Sequence, residues 1–451
     1  MVNNLMEKIV SLSKRRGFIN QSSEIYGGFS SCYDYGFLGT ELKSNIKKEW
    51  WKNMVQLQDN IVGIDSSILM SPKVWQASGH LTAGFADSLV ECKKCHHRFR
   101  LDEIQNSRCP ECGGELTKEK KFNLMMKTFV GPVENEAATT YLRAETCQGI
   151  YMNYENVRDS MRFKIPFGIA QIGKAFRNEI TPGNFIYRTR EFEQMEMQFF
   201  IKSRSNKKWF DYWKKQRMDW YLDLGIKKET LRFKEEKKNK LPHYAKKAVD
   251  IEYKFPWGWN EIEGIHDRGD WDLSNHSKHS GKDLSYYDEK TKEKFIPHII
   301  ETSAGADRSL LVFLINAYEE VKGGRRHAAE LSRSPKTIKK AKEKEIVLRF
   351  DKRLAPIKVA VLPLVKNKSD LVKKAKEVFD LIKPYFMSQY DEIGSIGRRY
   401  RRQDETGTPY CLTVDFDSLK QNDITVRDRD TMKQDRIKIN ELIEYFQDKL
   451  I

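Results

Sequence analysis

A mixed α/β (α+β) protein, built on an antiparallel sheet and followed by a smaller α/β unit, is predicted by three stretches of the sequence. The first pairs "FGIAQIGKAFRNE" (167–179) with "REFEQMEMQFF" (190–200). These are two runs of strand character joined by "ITPGNFIYRT", in which Pro182-Gly183 punctuates the turn. The second, "PHIIETSAGADRSLLVFLINAY" (297–318), reads as a strand, a turn of small residues and a helix. The third lies late in the chain, where "IKVAVLPL" gives a buried strand, "SDLVKKAKEVFDLIKPY" a helix and "PYCLTVDF" another strand.

The remaining elements follow in chain order. With 451 residues, 39% of them apolar, the chain can bury two or three cores. Residues 37–55 put Leu38, Leu42, Ile46 and Trp50 on one face of an amphipathic helix. "IDSSILMSP" (64–72) reads as a strand that stops at Pro72. Residues 89–121 are short, polar and cysteine-rich, like an inserted module, and 122–200 read mainly as strands and loops. Helical period returns over 205–225, with Trp209, Trp213, Trp220 and Leu224 on one core-facing stripe inside an insertion spanning 203–245. The charged "KKETLRFKEEKKNK" reads as solvated surface. From Val321 to Asp351, ten Lys/Arg stand against four Asp/Glu behind Gly323 and Gly324, the composition of a linker or surface helix. Two domains are therefore expected, 1–335 and 353–451.

The net charge of +16 suits a polyanion such as nucleic acid, or simply a lysine-rich surface. No apolar run is long enough to span a membrane. The first residues lack the apolar centre of a secretory signal, so a cytoplasmic location is expected. Four of the seven cysteines form CxxC-x13-CxxC: Cys92, Cys95, Cys109 and Cys112. Two such knuckles make a closed tetrahedral thiolate site, which predicts a structural rather than a catalytic zinc. His96 and His97 beside them read as surface residues.

Strand alternation gives the hairpin a chemistry. Gln171, Gly173, Ala175, Arg177 and Glu179 share one face, the glycine and alanine leaving space above the sheet. On the return strand Arg190, Phe192, Gln194, Glu196 and Gln198 share a face, and Glu193, Met195, Met197 and Phe199 take the other. A guanidinium can bind phosphate through two hydrogen bonds and a phenylalanine can stack on a base, so these are parts for a nucleotide, or else a hairpin with ordinary surface charges. In the strand–turn–helix, Glu301 and Ser303 share a face, Ala304, Gly305 and Ala306 allow close approach, and Arg308 lies in the first helical turn, where phosphate is favoured.

"FRNE"…"RTREFEQMEMQFF" and "ETSAGADRSLL" resemble motifs 2 and 3 of the class II aminoacyl-tRNA synthetases. The 37–55 helix with "ILMSP" resembles motif 1, and the HIGH and KMSKS segments of the other synthetase class are absent. "PKVWQASGH", "FNLMMKTFVGPVENEAATTYLRAETCQGI", "DIEYKFPWGWNEIEGIHDRGDWDLSNH" and the C-terminal unit narrow the resemblance to the single-chain glycyl-tRNA synthetase family. Ala144 stands where that family has Pro, and Cys147 where it has Ala.

The resemblance implies an antiparallel class II catalytic domain with an inserted zinc-ribbon-like module and a C-terminal anticodon-binding domain. It implies a glycine–tRNA ligase, using ATP and Mg2+, that charges tRNA(Gly) as a homodimer. Arg177 and Arg308 would be catalytic through phosphate. Asn178 and Glu179, Tyr187 to Phe192 (Arg188, Thr189, Arg190 and Glu191 between them), Glu261, Ile262 and the segment Gly305, Ala306, Asp307 would complete the ATP site. For glycine the implied residues are Arg100, Glu145, Phe192, Glu193, Gln194, Met195, Glu196, Arg268, Glu301, Thr302, Ser303, Ala304 and Gly305. Among these, Glu145, Glu196 and Glu301 would cage the ammonium, and Arg100 and Arg268 would face the carboxylate. In the C-terminal unit the arginines of "GRRYRRQDETG" would hold RNA phosphates or bases, or form a solvated run. The alternatives are a class II synthetase for threonine or proline, and a non-catalytic nucleic-acid-binding subunit on the same fold. "AETCQG" and "ETSAG" oppose the first, and the presence of Arg177 and Arg308 opposes the second.

Overall fold

The alternation that splits polar from apolar residues in the long strands sets the architecture. The computed structural model describes residues 2–82, 85–104, 106–236, 245–321 and 344–450. Its centre is a seven-stranded sheet of β1 (Ile61–Gly63), β2 (Phe167–Phe176), β3 (Glu191–Ile201), β4 (Leu231–Glu235), β5 (Lys247–Phe255), β6 (Gly258–Gly269) and β7 (His298–Gly305). Spatial order is β4-β5-β6-β7-β3-β2-β1, antiparallel throughout except for the parallel β1–β2 edge. Helices α1 (Phe37–Trp51), α2 (Asn206–Asp223) and α3 (Ala306–Ala317) cover one face, packing Leu42, Trp213 and Leu310 against Met195, Met197, Phe199 and Ile265. On the other face Phe167, Phe200 and Ile299 lie under two short helices, Cys147–Met152 and Tyr154–Met161. The rest of that face is left open.

Towards the C-terminus, a second core forms around a five-stranded sheet ordered Ser388–Tyr390, Val359–Pro363, Tyr410–Val414, Asp423–Asp428, Gln434–Lys438, with the helix Ser369–Ile382 on it. Arg16 joins the two parts by donating to Glu405 through Nε (2.8 Å), and Arg353 by donating to Asp223 (2.7 Å).

Several elements differ from the sequence reading. "IDSSILMSP" is not a strand: only Leu69 forms a bridge, to Leu142, and the sheet edge is Ile61–Gly63 instead. Two of its carbonyls are met by side chains: Arg143 Nη1 donates to that of Ser66 (2.7 Å) and the Thr140 hydroxyl to that of Met70 (3.4 Å). Two helices occupy 147–161, inside a span that reads as strands and loops, because six- and eight-residue helices carry too few turns to show a period. The charged run includes a real edge strand: Leu231 is buried, the four residues after it are exposed, and all pair with β5. Small residues 304–306 make no turn, as β7 runs to Gly305 and α3 begins at Ala306. The basic stretch read as a linker lies outside the described residues from 322 to 343. Within "GRRYRR", Arg399 is buried and donates to the Leu364 carbonyl (3.2 Å), Arg402 is paired with Asp391 (2.6 Å), and Arg398 and Arg401 are exposed, Arg401 paired with Glu345.

The helix layer is tied to the sheet by a fully buried ion pair. Arg217 of α2 donates from Nε to Glu263 of β6 (2.6 Å) and from Nη2 (3.3 Å), and its guanidinium lies 4.7 Å from the Trp220 ring. Removing one partner of such a pair strands the other charge, so Arg217→Ala is expected to cost about 3–5 kcal/mol in denaturant unfolding. Replacing both residues by apolar ones of similar volume should cost markedly less.

Candidate active site

The open half of the sheet is polar because alternate residues of its middle strands are polar there. The β3–β7 register sets Gln194 opposite Gly305 and Glu196 opposite Ser303, and β3–β2 sets Phe192 opposite Ala175. A cleft results, lined by Phe192, Gln194 and Glu196 from β3, Glu261 and Arg268 from β6, and Glu301, Ser303 and Gly305 from β7. Glu145, Arg177, Glu179, Tyr187, Arg188, Thr189, Asp307 and Arg308 close it.

One end is a carboxylate cage. Glu301 accepts from Arg268 Nη1 (2.9 Å) and Gln198 Nε2 (2.8 Å) and pairs with His266 Nδ1 (2.6 Å). Glu145 accepts from Cys147 Sγ and Gln148 Nε2, both at 2.9 Å, with His80 Nε2 at 3.4 Å. Glu196 is held by neutral groups, the Thr146 hydroxyl and Gln198 Nε2 (3.2 Å). The charges respond accordingly. Burial, then the Glu301 and Glu145 carboxylates, push the Glu196 carboxyl well above its usual range. Burial acts the same way on Glu301, but Arg268 and His266 hold it at about 2. Against burial, His80 and Arg268 hold Glu145 well below the usual range. A compact cation entering this cage would favour the ionised form of Glu196.

The other end presents cations on aromatic rings. Arg177 donates from Nε to the Ala144 carbonyl (3.1 Å), and its guanidinium lies 5.4 Å from the Phe192 ring centre and 5.6 Å from that of Phe85. Arg308 rests 4.5 Å from the Tyr187 ring centre, donates to the Tyr187 carbonyl (3.2 Å) and pairs with Glu261 (3.2 Å). Both can exchange these contacts for an anion.

Other expected residues lie elsewhere. Met195, Ala304, Ile262 and Ala306 are in the core behind the sheet, and Thr302 is buried. Glu193 faces α1, bonded to Lys47 (2.9 Å). Glu193, Met195, Thr302 and Ala304 occupy the alternate face of their strands, and a bulge in β6 opposite Ile251–Glu252 sends Ile262 to the core, so a contiguous segment cannot all line one cleft. Asn178 and Arg190 line a neighbouring groove, and Glu191 pairs with Lys174 on the surface (2.5 Å). Arg100 belongs to the cysteine-rich module, paired with Asp87 (3.2 Å) and Asp102 (2.9 Å), so it does not face the cleft. Arg268 does line the cleft, but its Nε and Nη2 are held by Asp272 (2.7 and 2.8 Å) and its Nη1 by Glu301.

Three contributors escaped the sequence reading. His266 lines the cleft and sits between Gly264 and Arg268 on the same face of β6; that alternation was the available signal. His80 stands behind Glu145, without a local signature. Arg143 fills the space expected above Gly173: a Cβ there would lie 2.2 Å from its Nη2, so the glycine admits a guanidinium rather than a ligand.

The four cysteines converge in the module whose sheet comprises Ala86–Glu91, Arg98–Arg100 and Lys120–Asn123. Their sulfurs all lie within 4.8 Å of one another, Cys92–Cys112 at 3.5 Å and Cys95–Cys109 at 3.6 Å. Sulfurs about 2.3 Å from a tetrahedral centre would be spaced very similarly. Amides of Lys94 and Cys95 point at Cys92 Sγ, each 3.4 Å away. A Cβ on Gly114 would lie 2.9 Å from that sulfur, so only glycine fits under the cluster. His96 and His97 are exposed.

Residues 131–317 match the tRNA synthetase class II core domain (G, H, P, S and T), and 358–449 match an anticodon binding domain. Sheet, cleft and matches together define a class II aminoacyl-tRNA synthetase. The chain is 50% identical to glycine–tRNA ligase of Thermobifida fusca, covering 99% of this chain and 98% of that one. It is 54% identical to that of Treponema denticola (97% and 95% covered) and 52% to that of Borrelia garinii subsp. bavariensis (99% and 98%). The chain belongs to the glycine–tRNA ligase family.

The cage makes a pH prediction. The folded pKa of Glu196 lies above its unfolded value, so folding favours the protonated form. That contribution is complete below the unfolded pKa and is lost as pH rises through the folded one. Glu196→Gln keeps the neutral form throughout. Its Tm should match wild type at about pH 5 and exceed it increasingly towards about pH 9, read by thermal scans. A difference independent of pH would count against a protonated, caged Glu196.

Proposed function

We propose that the chain activates glycine with ATP and transfers it to the 3′ end of tRNA(Gly). A glycine carboxylate oxygen attacks the α-phosphorus of ATP, pyrophosphate leaves, and glycyl-adenylate forms. A ribose hydroxyl of the tRNA end then attacks the glycyl carbonyl and AMP leaves. The observation that carries this reading is the pairing, in one cleft, of ring-stacked arginines with a three-carboxylate cage. Arg177 turns to the α-phosphate and takes up charge as it develops. Arg308 holds the γ-phosphate end, Phe192 stacks on adenine, and Glu179 accepts from its amino group. Glu145, Glu196 and Glu301 enclose the substrate ammonium, with Ser303 completing the wall against a larger side chain.

Magnesium suits Glu261, whose carboxylate lines the cleft and is half-exposed at 45%. It fits Glu301 poorly, since both oxygens of that carboxylate are engaged. When bound, the ion neutralises phosphate charge. The sulfur spacing supports a structural zinc on Cys92, Cys95, Cys109 and Cys112. Residues 1–335 serve as the catalytic unit and 353–451 as the anticodon reader, with Arg398 exposed for RNA. Exposed Ile25, Tyr26 and Phe29, in the loop between the Ile19–Gln21 and Tyr33–Tyr35 strands, and Phe37 at the start of α1 support a homodimer. All seven cysteines are free, and no helix among the described residues is long and apolar enough to cross a membrane, which supports a cytoplasmic enzyme.

Pyrophosphate exchange with each of the twenty amino acids tests the reading, and glycine alone should drive it. Arg177→Ala and Arg308→Ala should each slow the glycine-dependent exchange by about 10²-fold or more, and near-normal exchange in either would remove that arginine from the site. Elemental analysis should find about one zinc per chain, released when two of the four cysteines are substituted.

A further inference from the structure

Asp307 and Glu193 flank the nucleotide end of the cleft in sequence, one beside Arg308 and the other beside Phe192, yet neither points its charge at a ligand. The Asp307 carboxylate is saturated from within. Oδ1 accepts from Lys43 Nζ (2.7 Å) and from the Tyr35 hydroxyl, and Oδ2 accepts from the Glu193 amide (2.7 Å). Glu193 in turn meets Lys43 (3.2 Å) and Lys47 (2.9 Å). Lys43 lies in the middle of α1, is 7% exposed, and has its ammonium 4.3 Å from the Tyr35 ring centre. A buried lysine with two carboxylates on it is costly to leave unpaired, so its geometry is tightly determined.

The location explains what this determines. The β3–β7 ladder ends at the pair Gln194–Gly305. The next amide of β3, that of Glu193, is taken by the Asp307 side chain in place of a strand carbonyl. Asp307 therefore extends the ladder past the point where β7 becomes α3, and Lys43 holds Asp307 there. Arg308 follows Asp307 on the first turn of α3, and Phe192 precedes Glu193 on β3. The separation between the Phe192 ring and the Arg308 guanidinium is thus set from behind the sheet.

We propose that Lys43 is a positioning residue for nucleotide binding: by clamping Asp307 and Glu193 it fixes the gap between Phe192 and Arg308. The glycine cage is anchored separately, through Arg268, Asp272 and His80. Loss of the clamp therefore acts on one substrate and not the other. The inference rests on the assignment of Phe192 and Arg308 to ATP made above.

The test is glycine-dependent pyrophosphate exchange by the full chain, with KM for ATP and for glycine measured separately. Lys43→Met should raise the ATP KM by about tenfold or more while the glycine KM stays within about twofold, and Lys43→Arg should recover most of the loss. Asp307→Asn, which keeps an acceptor for the Glu193 amide but weakens the lysine contact, should give the same ATP-selective pattern at smaller amplitude. If Lys43→Met does not fold, Asp307→Asn decides by the same split. An unchanged ATP KM, or both KM values rising in parallel, overturns the role of Lys43. Arg308→Ala separates the two levels: impaired exchange there beside a silent Lys43→Met removes only the clamp, whereas normal exchange removes the nucleotide reading as well.

Discussion

The antiparallel register between β3 and β7 is the constraint on which the rest of the structure depends. By setting Gln194 against Gly305 and Glu196 against Ser303, it fixes which residues face the cleft and which enter the core. A slip of one residue would exchange the two sets, bringing Met195 and Met197 into the cleft and Glu196 into the helix layer. Both β2 and β6 join this central pair, so Arg268 and the base of Arg177 inherit their positions from it.

Such a site needs ionised groups held where water is scarce, and the fold answers each with a partner of its own. Arg268 divides between Asp272 and Glu301, Arg217 pairs with Glu263, and Lys43 serves Asp307 and Glu193. Glu196 differs, because its bonded neighbours are neutral and burial with the Glu301 and Glu145 carboxylates outweighs the pull of Arg268. The unfilled place in this charge pattern is therefore localised on one carboxyl. That makes the cage responsive to a small cation without destabilising the surrounding pairs.

What the sequence made legible follows from period. The hairpin, the α1 stripe and the strand-to-helix passage at 298–317 have long, regular alternations, and their facing residues were readable from them. The four-cysteine cluster was readable from spacing alone. Short helices at 147–161 were not, and neither was the irregular path of 64–72, whose carbonyl is served by the distant Arg143. At the site, the segments carried over by resemblance included Met195 and Ala304, which alternation alone turns away, and Ile262, which a bulge in β6 turns into the core. The resemblance sets Arg100 and Arg268 to face a substrate carboxylate. Their carboxylate partners, Asp87 and Asp272, become visible only in three dimensions. His266 was within reach of the same face argument applied to β6.

The two ring-stacked arginines have a consequence for ligand discrimination. Arg177 lies over the Phe192 face that a base would occupy, and Arg308 covers Tyr187. A nucleoside without phosphates brings a flat ring but no anion, so it must displace a cation and offer it nothing in return. A nucleotide brings both, and its phosphates draw the arginines off as its base takes the vacated ring. On the proposed assignment of Phe192 to the base, the resting Arg177 would compete with a base for that ring, and negative charge would favour entry.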